Sequence, residues 1–181
     1  MTDTAGPLAE NIRQLEQGIE LIRRLDDAVY AACPESPFPG GVGAQIRHCV
    51  DFYDCFLGLV GGGRIDYTQR GRDPHTETDR ARAVERLREL IGALESLSGV
   101  HAERELQIRS EGSADEDDES GWAPSSVQRE LDFLLSHTIH HYAVIVVLLR
   151  LHGFTMPDGL KGFGVAPSTE RHWREAGPPS R

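Results

Sequence analysis

Cysteine is scarce in this 181-residue chain, and what there is does not pair. Cys33, Cys49 and Cys55 form neither an even set nor a CxxC pair. They read as reduced thiols of a cytoplasmic protein rather than as a disulfide framework. Long apolar runs are also lacking. The longest candidate, residues 143–149, stops at Arg150 and falls far below the ~18 residues of a membrane span. Residues 1–7 carry neither a basic region nor an apolar stretch, so no part of a secretory signal is visible. Positive charge is in short supply: 19 Lys and Arg face 29 Asp and Glu, for a net charge of −10. Such a surface repels phosphate backbones, so nucleic acid is not an expected partner. Nor is a membrane. Much of the negative charge sits in Asp115-Glu116-Asp117-Asp118-Glu119, which reads as a solvated loop.

What the chain does have is histidine at helical spacing. The run Ser136-His137-Thr138-Ile139-His140-His141-Tyr142 places His137 and His141 four residues apart. On a helix, positions i and i+4 share a face, with Cβ atoms about 5–6 Å apart. Two imidazoles at that separation can bind one transition-metal ion. The apolar stripe of the same segment reads Leu134, His137/Thr138, His141, Ile145, Leu148, which puts both rings on the expected core line.

Apolar residues at three- and four-residue spacings predict four helices, over about 7–29, 42–60, 78–97 and 124–151. Pro7 suits the first turn of the first helix. The run from Cys33 to Gly41, rich in Pro and Gly, must be a loop. Gly61-Gly62-Gly63 ends the second helix. Thr76 or Thr78 is the candidate N-cap of the third helix, and Ser125 or Ser126 of the fourth. Residues 64–76 form an irregular connection. Residues 103–109 alternate as a short strand, with 121–123 as the candidate hairpin partner. Four such helices suggest an all-α four-helix bundle, with a short β-hairpin before the last long helix. One domain over residues 5–165 is expected, followed by a tail over 166–181 that is extended at first and disordered at its end.

A bundle gives buried imidazoles a physical problem. Each needs partners for both nitrogens, at a cost of about 1–3 kcal/mol if one is left unpaired. A metal ion accepts lone pairs from both rings, and zinc-like ions usually take a third protein ligand. His48 is the best candidate, on the second-helix face that also carries Ala44, Phe52, Cys55 and Leu59. Three histidines would leave a position open for water or substrate, as in catalytic sites. The competing reading is that His48 is a satisfied core residue. His140, at i+3 from His137, is an alternative partner that points about 100° away from His141. His75, His101, His152 and His172 fall in loops or near helix ends and read as surface residues; His152 is also placed to cap the fourth helix. Cys55 stands two turns, roughly 10 Å, from His48, too far for one ion to bind both. Cys49 and Cys55 read as packing residues.

These residues carry a family resemblance. Gly43-Ala44-Gln45-Ile46-Arg47-His48 on the second helix and His137-Thr138-Ile139-His140-His141-Tyr142 on the fourth resemble the DinB/YfiT-like superfamily, which is unrelated to the polymerase of that name. The resemblance spans about residues 8–151. It implies an up-down-down-up bundle and a divalent ion, zinc or nickel, held by His48, His137 and His141. It also implies a homodimer and an enzyme such as a transferase that uses a low-molecular-weight thiol. A metal ion with an open position would stabilise a thiolate that is mostly protonated when free, or activate water for hydrolysis. The sequence has no obvious protein nucleophile or general base, and the pair lacks the Glu of HExxH. A non-catalytic metal-binding or stress-response module is the alternative. Arg70 and Arg72 are candidates to hold an anionic substrate or thiol, with surface solvation or a salt bridge to Asp66 or Asp73 as the competing role. Tyr142 and Trp122 are candidate pocket residues, though aromatics at such positions usually pack in the core.

Overall fold

The apolar spacing is realised as four long helices. The computed structural model describes residues 5–31, 41–110 and 121–177, so Cys33, most of the predicted loop over 33–41 and the acidic run 115–119 lie outside the described residues. Helix α1 spans Ala5–Arg24, α3 Val42–Leu59, α5 Arg80–Glu95 and α6 Val127–Leu151. Helices α1 and α3 each pack against both α5 and α6. Leu15, Ile22, Tyr53, Phe56, Leu87, Leu94, Leu131 and Ile145 fill the space between them.

Shorter elements interrupt the predicted ranges. The first helix breaks after Arg24 and restarts as α2 (Asp27–Ala31), where the Asp26 carboxylate accepts from Val29 N–H at 2.7 Å. The third helix is preceded by α4 (Pro74–Thr78). Its N-cap is Asp79, which accepts from the N–H groups of Ala81 and Arg82, and not Thr76 or Thr78. Thr76 is buried, and Asp73 caps α4 through His75 N–H. An Asp carboxylate satisfies orphan helix donors at least as well as a Thr hydroxyl. The α3–α4 crossing requires Gly43, since a Cβ there would lie 1.9 Å from the Glu77 carbonyl oxygen.

The mostly helical chain also holds a three-stranded sheet, which is larger than the predicted hairpin. Strand β2 (Glu105–Arg109) pairs antiparallel with β3 (Ala123–Ser126) and parallel with β1 (Arg64–Asp66). Residues 64–66 were expected to be irregular. They pair because Ile65 is fully buried and Gly63, in the left-handed region, turns the chain out of α3 so that its carbonyl accepts from Gln107 N–H. Pro124 lies on the edge strand β3, where its missing N–H costs no central ladder bond. Ser126, the last residue of β3, caps α6 by accepting from Arg129 N–H.

The tail differs from its expectation. Helix α7 (Pro167–Ala176) stands where extended or disordered chain was predicted, although residues 178–181 lie outside the described range. Before α7, Phe163 is buried and stacks on Tyr142 with ring centroids 4.1 Å apart. Gly164 follows at φ +73°, where a Cβ would meet the Ala143 backbone at 2.6 Å. Among the described residues, only α6 is long and apolar enough to cross a membrane, and its stripe from Val127 to Leu149 is packed in the core.

Candidate metal centre

The site grows from two helices packed side by side, α3 and α6. Helix α6 buries Val127, Leu131, Leu134, Thr138, Tyr142 and Ile145, so its core line runs through Thr138 and Tyr142. His137 and His141 sit one residue back from that line, half-buried at its margin. On α3 the core line runs through Ile46, Cys49, Val50, Tyr53 and Phe56, and His48 is likewise half-buried at its margin. Sequence periodicity put these histidines on the core lines themselves. The difference is a rotation of about 100° per residue, and it leaves the three residues half-buried, with His137 Nε2 itself shut off from solvent. Leu59, also assigned to the buried face, is 40% exposed.

The three rings converge. One nitrogen from each of His48, His137 and His141 lies within 4.8 Å of the other two. Ring centroids are 5.1 Å apart for His48–His137, 4.5 Å for His48–His141 and 4.5 Å for His137–His141. Two nitrogens bound to one tetrahedral zinc would stand roughly 3.4 Å apart, given Zn–N distances of about 2.0–2.1 Å. Small side-chain rotations therefore suffice to close the group on an ion. The donor set fits a borderline transition metal: three imidazoles, with no carboxylate or thiolate in the group among the described residues.

His141 is prepared for such a role. Its Nδ1 lies 2.7 Å from Gln45 Oε1. A carbonyl oxygen only accepts, so Nδ1 carries the proton and Nε2 keeps its lone pair. Burial, and secondarily the neighbouring His137 and His140, push the His141 pKa down to about 4. The ring is neutral at pH 7, as a ligand must be.

An aromatic wall backs the cluster. Phe52 lies 4.3 Å from His137 and 5.0 Å from His48, and Phe133 lies 5.5 Å from His137. The Arg70 guanidinium stands over the Phe52 ring at 4.0 Å and donates to the Tyr67 carbonyl. One aromatic ring thus separates Arg70 from two of the histidines. A polar network fixes the helices beneath. Tyr53 O–H donates to Asn11 Oδ1 at 2.6 Å, Asn11 donates to the Leu131 carbonyl at 3.0 Å, and Thr138 Oγ1 lies 3.2 Å from Tyr53 Oη. It ties α1, α3 and α6 together beside His137.

The other candidates are sorted by the same geometry. Arg72 is exposed, and among the described residues no hydrogen bond or ring contact ties it to the cluster. Tyr142 is fully buried, donates to the Gln14 carbonyl at 3.1 Å and stacks on Phe163. Trp122 lies under the Arg64 and Arg109 guanidiniums, each 5.0 Å from its ring. His140 is exposed, its ring 5.2 Å from that of His141, and His75, His101, His152 and His172 are exposed as well. Burial raises the Cys49 pKa to about 12 and the Cys55 pKa to about 11, so neither thiol is a ready nucleophile. Gln45, Phe133 and the Asn11–Tyr53–Thr138 network were not singled out from the sequence. The available signals were the i,i+3 spacing of Gln45 and His48 and the polar residues Asn11 and Thr138 on apolar faces.

Two concavities lie elsewhere. One of about 520 Å³ is lined by Gly99, Val100, His101, Glu103 and Arg104, and one of about 330 Å³ by residues of α1 and α7, among them Arg13 and Arg174.

Residues 12–145, well over half of the chain, match the family model of the DinB superfamily, and the chain belongs to that superfamily. It is 32% identical over 108 residues to FK506-binding protein 5 of Rhizopus delemar. That match covers 60% of this chain and 27% of the relative, so the chain spans about a quarter of the length of the curated protein it resembles. No solved structure matches it.

Proposed function

We propose that this DinB-superfamily chain is a metal-dependent enzyme that activates a low-molecular-weight thiol for transfer to an electrophile. The convergence of His48, His137 and His141 at a margin that solvent reaches carries this reading. Bound among these rings, a divalent ion such as zinc or nickel supplies Lewis acidity at an open position, lowering the pKa of a thiol or of water there. The chain's own residues do the rest. His48, His137 and His141 would present imidazole nitrogens to the ion. Phe52 and Phe133 form an apolar wall that limits water on one side. Arg70, held over Phe52, offers a cation to a carboxylate of the thiol or substrate. The unreactive Cys49 and Cys55 agree with a nucleophile that comes from outside the chain. The architecture belonging to this proposal is the up-down-down-up four-helix bundle, working as a cytoplasmic homodimer.

A second reading rests on one observation. Neither of the two concavities described above is lined by a histidine of the cluster. That favours a non-catalytic metal-binding module with a role in binding or stress response. Steady-state assays separate the two. Metal-loaded protein is mixed with several low-molecular-weight thiols and a chromogenic electrophile. Thiol-dependent turnover that disappears in His141→Ala supports the enzyme. Absence of turnover with every pair, in protein that holds its metal, leaves the module.

A further inference from the structure

The cluster has a fourth member that does not bind metal. We propose that Gln45 is the positioning residue of the metal centre. In this view its side-chain carbonyl locks His141 in the Nδ1–H tautomer and so directs Nε2 to the ion. The inference rests on the three-histidine site but not on any particular reaction there.

Three observations carry it. The Gln45 Oε1 to His141 Nδ1 distance is 2.7 Å, a short hydrogen bond between side chains 96 residues apart. Gln45 and His48 stand three residues apart on α3, so they share a face, and that face meets α6. One helix thus supplies a ligand directly and holds a second ligand through its neighbour's amide. Finally, the hydrogen bond engages Nδ1, which leaves Nε2 as the nitrogen this ring can offer to an ion. An imidazole free to choose favours neither ring face nor ring flip. One whose Nδ1–H is held offers a single lone pair in a fixed direction.

The chemistry follows from this. The amide oxygen accepts the ring proton and makes the opposite nitrogen more basic, as outer-shell acceptors do in histidine metal sites, where their loss typically costs about 10–100-fold in metal affinity. A neutral amide is a weaker acceptor than a carboxylate. It adds no negative charge, so a divalent ion held by the three rings would keep its full charge. Such an ion keeps a strong pull on an anionic ligand at its open position.

Gln45→Met tests the role, since methionine keeps the shape of the side chain and removes the acceptor. Gln45→Glu is the rescue, restoring an oxygen at the same reach. Two readouts are taken on the full-length protein. In metal-free protein, ring nitrogen shifts in long-range proton–nitrogen NMR spectra report the His141 tautomer. In cobalt-loaded protein, chelator competition gives the affinity and the visible d–d bands report the ligand geometry. The expected result is an Nδ1–H tautomer in wild type, lost in Gln45→Met. A fall of about 10–100-fold in cobalt affinity with altered d–d bands should accompany that loss. Gln45→Glu should lie within a few-fold of wild type or bind more tightly. Wild-type affinity and an unchanged spectrum in Gln45→Met overturn the proposal while leaving the three-histidine site intact. Wild-type protein that binds no cobalt, with His141→Ala behaving identically, overturns both.

Discussion

Removing one imidazole should abolish most of the stabilisation that a bound metal confers. The three candidate donor nitrogens lie within 4.8 Å of one another, close enough for all three to hold one ion. Structural zinc sites with four ligands bind with about 10–16 kcal/mol, or about 2.5–4 kcal/mol per ligand. At about 1.4 kcal/mol per decade, losing one histidine lowers affinity by about 100- to 1,000-fold. The stabilisation by a ligand present at 100 times its Kd is about 2.7 kcal/mol, and it falls to about 0.4 kcal/mol when Kd rises 100-fold. For a domain of this size, the metal-dependent rise in Tm should therefore shrink from about 5–11 °C to about 2 °C or less. The assay is thermal unfolding with and without zinc or nickel, beside metal analysis of each protein. His48→Ala, His137→Ala and His141→Ala should all lose the shift. His140→Ala is the control, because His140 is exposed and outside the converging group although its ring is 5.2 Å from that of His141. Equal shifts in all four variants would refute the ligand assignment. So would a loss in His140→Ala as large as in the other three.

Other consequences can be measured separately. His141 has a folded pKa of about 4, below its ordinary value of 6.5, so the fold disfavours its charged form. The unfolded chain then binds more protons between about pH 4 and 6.5, and this group's contribution, present above pH 6.5, is lost as pH falls through 4. Burial lifts Asp51 to about 6, which acts with the opposite sign over much of the same window. Metal-free Asp51→Asn should therefore gain stability from pH 4 to 6.5 in urea unfolding, more steeply than wild type; a flat profile in the variant would contradict the His141 assignment. Tyr53→Phe removes the donor to Asn11 Oδ1 and should cost about 1–3 kcal/mol in the same assay, and a cost below about 0.5 kcal/mol would show that the network adds little. Gly43→Ala forces a Cβ to within 1.9 Å of the Glu77 carbonyl and should destabilise by about 1–3 kcal/mol or more, with an unchanged Tm arguing that α3 and α4 do not cross there. Peptide mapping after alkylation at pH 8 should find Cys49 and Cys55 unmodified in folded protein and modified in urea.

The candidate ligand pair was legible in the sequence because an i,i+4 pair is a local property of one helix. His137 and His141 needed only the 3.6-residue period to be set side by side. His48 was harder, since nothing local links it to residues 89 positions away. Its place on an amphipathic face suggested it, and the α3–α6 packing brought it to the pair. The four long helices were legible for the same periodic reason. Their interruptions at Asp26 and Asp79 were not, because a capping carboxylate competes with helix continuation only by a small margin.

Chain order and spacing by themselves determined that this protein is mostly helical, that it holds few usable thiols, and that two histidines share one helical face. Tertiary packing alone decided the rest. It turned the histidines to the margin of the core, buried Tyr142 against α1 and the tail, paired β1 with β2, and folded residues 167–176 into a helix. It also set Gln45 against His141 and Arg70 over Phe52. The physical reason is that periodicity assigns a residue to a face but leaves the helix free to rotate. A rotation of one residue, about 100°, separates a sealed core imidazole from one that can meet a ligand, and only the neighbouring helices choose between them.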